Sequence, residues 1–158
     1  MTDAVLWKTG SRANRRLFRS GSDSEQSVTE SIKVKVDLTV VGLIGQVDSA
    51  KLDPQQMVEF GLEQPSDACR DEVKRAILHL YRSSGMKPNT VLADVEGGIL
   101  VTYRSSRGTL LELAIEDDQS VHAIITNPEG MQEHFPVKHP KDMNWVEDRF
   151  RAVDAIRP

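Results

Sequence analysis

The sequence predicts an α+β fold in which an antiparallel β-meander of four to six strands packs against a central amphipathic helix and a C-terminal helix. Three observations carry this reading. Cys69, Val73, Ala76, Ile77, Leu80 and Tyr81 recur at helical spacing and form one apolar stripe. Downstream, short apolar segments alternate with turn residues about every ten positions, the signature of an antiparallel sheet. After Pro140, the residues Met143, Val146, Phe150 and Val153 return to helical spacing, with Trp145 and Arg149 beside them.

From the N-terminus, residues 1–30 are rich in Ser, Arg, Gly, Asn and Glu. Such a composition buries too little surface to offset ordering entropy, so it predicts a flexible basic arm, followed by a single α+β domain over residues 31–158. Val5-Leu6-Trp7 and Leu17-Phe18 are the arm's apolar points. Ile32, Val34, Val36, Leu38 and Val40 then alternate with Lys33, Lys35, Asp37 and Thr39, which predicts a half-buried strand within Ser31–Gln46. Val41, Leu43 and Ile44 do not alternate, and Gly42 and Gly45 interrupt them. A buried strand end, a bulge, a turn, or two strands broken near Gly42 all fit that pattern.

Asp53-Pro54 opens a short helix with Met57, Val58 and Phe60 as its apolar side, and Gly61 ends it. The brevity of Glu63-Gln64-Pro65 predicts that this helix and the next form a corner or hairpin. The central helix runs from Ser66 to about Ser84. Ser66 can cap its first turn, and Asp67, Asp71 and Glu72 suit the positive end of the dipole. Gly85 supplies a left-handed stop, and Pro88 prevents resumption.

Strands follow at Val91–Val95, Ile99–Tyr103, Leu110–Ile115 and Val121–Thr126. They are separated by turns at Glu96-Gly97-Gly98, Arg104–Gly108 and Asp117–Ser120. Asn127-Pro128-Glu129-Gly130 makes another turn, after which Met131–Val137 can add a more irregular fifth strand.

Hydrophobic content of 39% and charged content of 28% suit a globular protein. No apolar run reaches the roughly 20 residues of a membrane span, and no signal-peptide core is present, so the expected location is cytoplasmic, without membrane association. The single Cys69 forms no internal disulfide. Net charge is −4 but unevenly spread. Residues 1–20 hold Lys8, Arg12, Arg15, Arg16 and Arg19 against Asp3 alone, a net of +4, whereas the remaining 138 residues hold 15 basic and 23 acidic side chains, a net of −8. If helical, the arm would place its four arginines on one face.

No catalytic residue, metal ligand or cofactor is predicted. His134 and His139 lie near Glu133, but Pro136 intervenes and the spacing converges on nothing. His79 and His122 lack an oriented acid or nucleophile at a telling spacing. Cys69 sits near a helix N-terminus, where a thiolate is favoured, yet its neighbours are apolar. Gly97-Gly98 leads into a strand, whereas phosphate loops lead into a helix. Glu116, Asp117 and Asp118 make an acidic turn with too few oxygens for calcium.

Between Pro65 and Thr126 the order of features resembles a pattern of small bacterial proteins: a Pro/Ser-initiated helix, a Pro, a Gly-Gly-Ile hairpin, an aromatic closing the next strand, then an alternating strand. Pro65-Ser66, Ala76-Ile77-Leu78, Pro88, Gly97-Gly98-Ile99, Tyr103 and Leu111-Glu112-Leu113 carry it. The pattern's usual Trp is replaced by Tyr103, and its Trp-Asp-Gly before the helix by Glu59-Phe60-Gly61. The resemblance implies no activity.

The expected function is therefore a small non-enzymatic protein-interaction or regulatory module, of the antitoxin, immunity or assembly-subunit kind, with a protein partner or self-association. Lys8, Arg12, Arg15, Arg16 and Arg19 are its candidate interaction residues. Two alternatives stand beside it: nucleic-acid binding through residues 7–19, and an enzyme with an acidic or histidine site that the sequence does not reveal.

Overall fold

A computed structural model describes the backbone of residues 2–8 and 30–156 and the side chains of residues 35–156. The chain divides into two units, Met1–Val41 and Gly42–Pro158. In the first, β1 (Thr2–Lys8) pairs antiparallel with β2 (Glu30–Val36), Leu6 facing Ile32 in the register. Val5-Leu6-Trp7 thus falls within a strand. Of the expected arm, residues 9–29 lie outside the described residues.

The strand expected from the alternation over residues 32–40 within Ser31–Gln46 is present only in its first part, and the rest is a correction. Extended structure stops at Val36, and α1 (Leu38–Ser49) follows. Neither a continuous strand nor two strands broken near Gly42 is present there. Asp37 explains the switch. Its carboxylate accepts from the Thr39 N–H at 2.9 Å and its carbonyl accepts from the Val41 N–H at 3.1 Å, which starts a helical turn. Burial then overrides the β-branched propensity, because Leu43 and Val47 enter the core of the second unit.

The next helix, α2 (Pro54–Phe60), is capped by Asp53, which accepts from the Gln55 N–H at 2.8 Å, and it ends at Gly61 with φ of 65°. Its apolar side does not pack as expected: Val58 is 87% exposed and Phe60 63%. The connector holds by another route. The Gln64 amide donates to the Leu52 carbonyl at 2.9 Å and accepts from the Leu52 N–H at 2.8 Å, tying the α1–α2 link to the α2–α3 link.

The central helix, α3 (Asp67–Ser84), matches its pattern. Ser66 Oγ accepts from the Cys69 N–H at 3.1 Å, Gly85 ends it with φ of 71°, and Cys69, Val73, Ala76, Ile77 and Leu80 are buried. Its Arg70 donates to the Val47 carbonyl at 2.6 Å, satisfying the end of α1.

Five antiparallel strands follow in simple meander order: β3 (Thr90–Asp94), β4 (Gly98–Arg104), β5 (Leu110–Glu116), β6 (Val121–Thr126) and β7 (Gln132–Val137). All four turns share one geometry. The N–H of Gly97, Gly108, Gln119 and Gly130 donates to the carbonyl three residues back, at 3.2, 3.2, 2.9 and 2.9 Å. Each of those residues is left-handed, with φ of 89°, 94°, 69° and 88°. This is a type I turn with a following bulge, repeated every eleven residues.

One sheet face carries Ile99, Val101, Tyr103, Leu111, Leu113, Ile115, Val121, Ala123 and Ile125, all buried against α3 and the last helix. That helix, α4 (Pro140–Ala155), starts where Asp142 accepts from the His139 N–H at 2.9 Å and the Lys138 N–H at 2.8 Å. Met143, Val146, Phe150 and Val153 are its buried stripe. A polar seam runs one residue behind it. His79 meets Asn144 at 2.7 Å, Ser83 donates to Glu147 at 2.6 Å, and Arg151 pairs with Glu147 at 3.0 Å. Asp154 accepts from Ser105 at 2.5 Å and Thr109 at 2.9 Å. The expected α+β meander, backed by a central and a C-terminal helix, is the fold of the second unit.

Candidate interaction surface

Side chains alternate across a strand, so burying Ile99, Val101 and Tyr103 against the helices turns Leu100 and Thr102 to the other face. Register extends this across the sheet. Leu92, Leu100, Ala114, His122 and Pro136 lie side by side in one row from β3 to β7. The next row is Thr90, Thr102, Glu112, Ile124 and His134. Within the second unit, no described helix covers this face. Leu92 is 57% exposed, while Leu100, Ala114 and Ile124 are half-buried by their neighbours alone. The three apolar residues Leu92, Leu100 and Ala114 run inward from the β3 edge without a polar break.

The two sheet edges differ. On β7, the bond from the Asn127 N–H to the Met131 carbonyl at 3.0 Å fixes the phase of the ladder. Glu133, Phe135 and Val137 therefore bond β6, and the backbone of His134 and Pro136 faces outward. Pro136 removes an outward N–H, which blunts that edge. On β3, the turn bond to the Asp94 carbonyl sets Thr90, Leu92 and Asp94 against β4 and leaves the backbone of Val91 and Ala93 outward. No proline or charged side chain interrupts β3 before Asp94.

Several residues of types that carry chemistry hold structural roles instead. Cys69 is fully buried, and its thiol donates to the Ile115 carbonyl at 3.5 Å. Burial, with the nearby Asp117 charge, pushes its pKa up, the opposite of an activated thiolate. Asp117 accepts from the Ser66 N–H at 2.8 Å, and Asp118 from the Ser120 N–H at 2.8 Å. Both carboxyls are held below the usual range by hydrogen bonding to those serines, first to the side chain and then to the backbone N–H. The acidic turn is thus a clasp on the start of α3. An open depression of about 260 Å³ lies beside it, with Leu62, Pro65, Val95 and Gly97 in its lining.

Glu133 pairs with Arg149 on α4, His139 caps α4, and His122 and His134 stand exposed on the outer sheet face. The structure brings His134 and His139 into no common site, and among the described residues no group of three or more His, Cys, Asp or Glu could hold a metal. Lys8 ends β1, in the register position facing Glu30, while Arg12, Arg15, Arg16 and Arg19 lie outside the described residues. No described helix is long and apolar enough to cross a membrane.

The outer face was not singled out from the sequence, although a signal for it exists. Val91-Leu92-Ala93 and Ile99-Leu100-Val101 are apolar at both parities, and only one parity is needed to face α3 and α4. No protein-family model, curated protein or solved structure matches the chain.

Proposed function

We propose that the chain is a non-enzymatic protein-interaction module whose binding surface is the sheet face opposite α3 and α4. The observation that carries this reading is the row Leu92, Leu100 and Ala114, with Ile124 beside it, left without a covering layer in the second unit. A contiguous apolar patch on an otherwise polar protein marks a site of association. The surrounding Glu112, His122 and His134 supply the polar rim that such surfaces carry. Full-length protein and the variants Leu100→Glu and Ile124→Glu, matched for thermal unfolding, should differ in recovery of a common partner from native lysate. Both variants should lose it. Equal recovery by all three would reject this face.

The charge asymmetry supports a second reading, nucleic-acid binding through residues 7–19, where Lys8, Arg12, Arg15, Arg16 and Arg19 cluster. It predicts low-salt binding to an oligonucleotide that falls steeply with added salt and weakens in the double variant Arg15→Ala, Arg16→Ala. Absence of binding at low salt would dismiss it.

A further inference from the structure

We propose that a second copy of this chain adds to the open edge of β3, antiparallel and about a two-fold axis at Leu92. This rests on the interaction-module reading and names one partner for it. Among the described residues no strand pairs with the outer side of β3. Its outward backbone groups belong to Val91 and Ala93, two residues apart with Leu92 between them. Antiparallel pairing about Leu92 therefore sets Val91 opposite Ala93 of the second copy, and Ala93 opposite Val91. Both N–H groups and both carbonyls on each side find partners.

Charge fits the same register. Lys87 lies five residues before Leu92 and Glu96 four after it, both exposed and, among the described residues, neither in an ion pair. The two-fold sets the end of β3 next to Lys87 beside the end of the other copy's β3 next to Glu96, so opposite charges lie near each other at both ends of the paired strands. A parallel arrangement would set like charge beside like.

The side chains gain as well. Val91 packs against the core but stays half-exposed along the open edge, and Leu92 is 57% exposed. A neighbouring strand covers both. Leu92 would meet its own counterpart, joining the two apolar rows into one that runs Ala114, Leu100, Leu92 and back again across six strands of a ten-stranded sheet. The dimer thereby doubles the surface assigned above. The other edge offers no equivalent, since Pro136 withholds the donor that such pairing needs.

The test is sedimentation equilibrium on the purified full-length chain and three variants. Wild type should be dimeric. Ala93→Pro removes an outward donor without breaking the bonds from β3 to β4, so it should be monomeric with unchanged secondary structure. Lys87→Glu alone should weaken dimerisation about fivefold, from two surface pairs turned repulsive, and the double variant Lys87→Glu, Glu96→Lys should restore it. The charge pair keeps the test decisive if Ala93→Pro misfolds. A wild-type monomer, as when residues 9–29 or an unrelated protein occupy the edge, overturns the proposal. So does a dimer indifferent to the charge exchange. Because no partner protein is present, a monomer leaves the capture result at Leu100 and Ile124 untouched.

Discussion

Arg149 of α4 clasps Glu133 of β7 with two parallel hydrogen bonds, Nε to Oε2 at 2.7 Å and Nη2 to Oε1 at 2.5 Å. One pair of strand positions further along, Phe135 meets Trp145 edge to face, with ring centroids 4.5 Å apart and planes at 82°. These two contacts seat the C-terminal helix on the sheet's last strand. The hydrogen bonds to Arg149, assisted by its charge, hold the Glu133 carboxyl below the usual range.

The pH dependence follows from that direction. A carboxyl whose folded pKa is depressed contributes stability above its unfolded value and loses it as pH falls through the folded one. Asp117 and Asp142 are depressed too, Asp117 chiefly by hydrogen bonding to the Ser66 side chain and then its N–H, Asp142 by the Lys138 N–H. Thermal stability should therefore decline once pH falls below roughly 4. Glu133→Gln should lower Tm at neutral pH and flatten the acid limb, and a limb of unchanged slope would contradict this.

Gln119 occupies the one left-handed turn position of the four that lacks glycine, at φ of 69°. A Cβ there costs about 1 kcal/mol relative to glycine. Gln119→Gly should raise Tm by about 2–4 °C for a chain of this size. A fall would mean that the Gln119 side chain holds something the backbone geometry does not reveal.

Gly98 is the converse case. A Cβ there would lie 2.3 Å from the Ile115 carbonyl oxygen, on a backbone with φ of +146°. Gly98→Ala should destabilise by about 3 kcal/mol through overpacking and strain, read by urea unfolding. The neighbouring Gly97, with open space around its Cβ position, should tolerate alanine better despite its φ of +89°.

The Tyr103 hydroxyl is buried and has no hydrogen-bond partner among the described residues, and burial drives its pKa far up. Removing an unsatisfied buried polar atom restores a desolvation loss. Tyr103→Phe should be neutral or stabilising by up to about 1 kcal/mol, whereas a clear loss of stability would show that the hydroxyl is bridged.

Much of this fold could be read from residue patterns, and the failures have local causes. The α3 stripe, the Ser66 cap, the Gly85 stop and the four turns all rest on short-range chemistry, which sequence displays directly. The stretch Leu38–Ile44 misled because its β-branched residues alternate as a strand does, while the deciding facts were the Asp37 cap and the burial of Leu43 and Val47. Helix α2 was correctly bounded by Asp53 and Gly61, but its apolar side is exposed, since periodicity shows which residues share a face and not what covers it. The outer sheet face stayed unread for the same reason. Leu100 looks like any core residue until Ile99 and Val101 are seen pointing the other way. The arginines at 12, 15, 16 and 19 remain a proposal drawn from charge alone.

The most direct test of the account places a photo-activated cross-linking amino acid at residue 100 or 124 and, separately, at Asp148, an exposed position on α4. Irradiation in the native cell should yield a discrete protein adduct from positions 100 and 124 and none from position 148. Adducts from all three positions alike, or from position 148 only, would contradict the assignment of the uncovered sheet face as the binding surface.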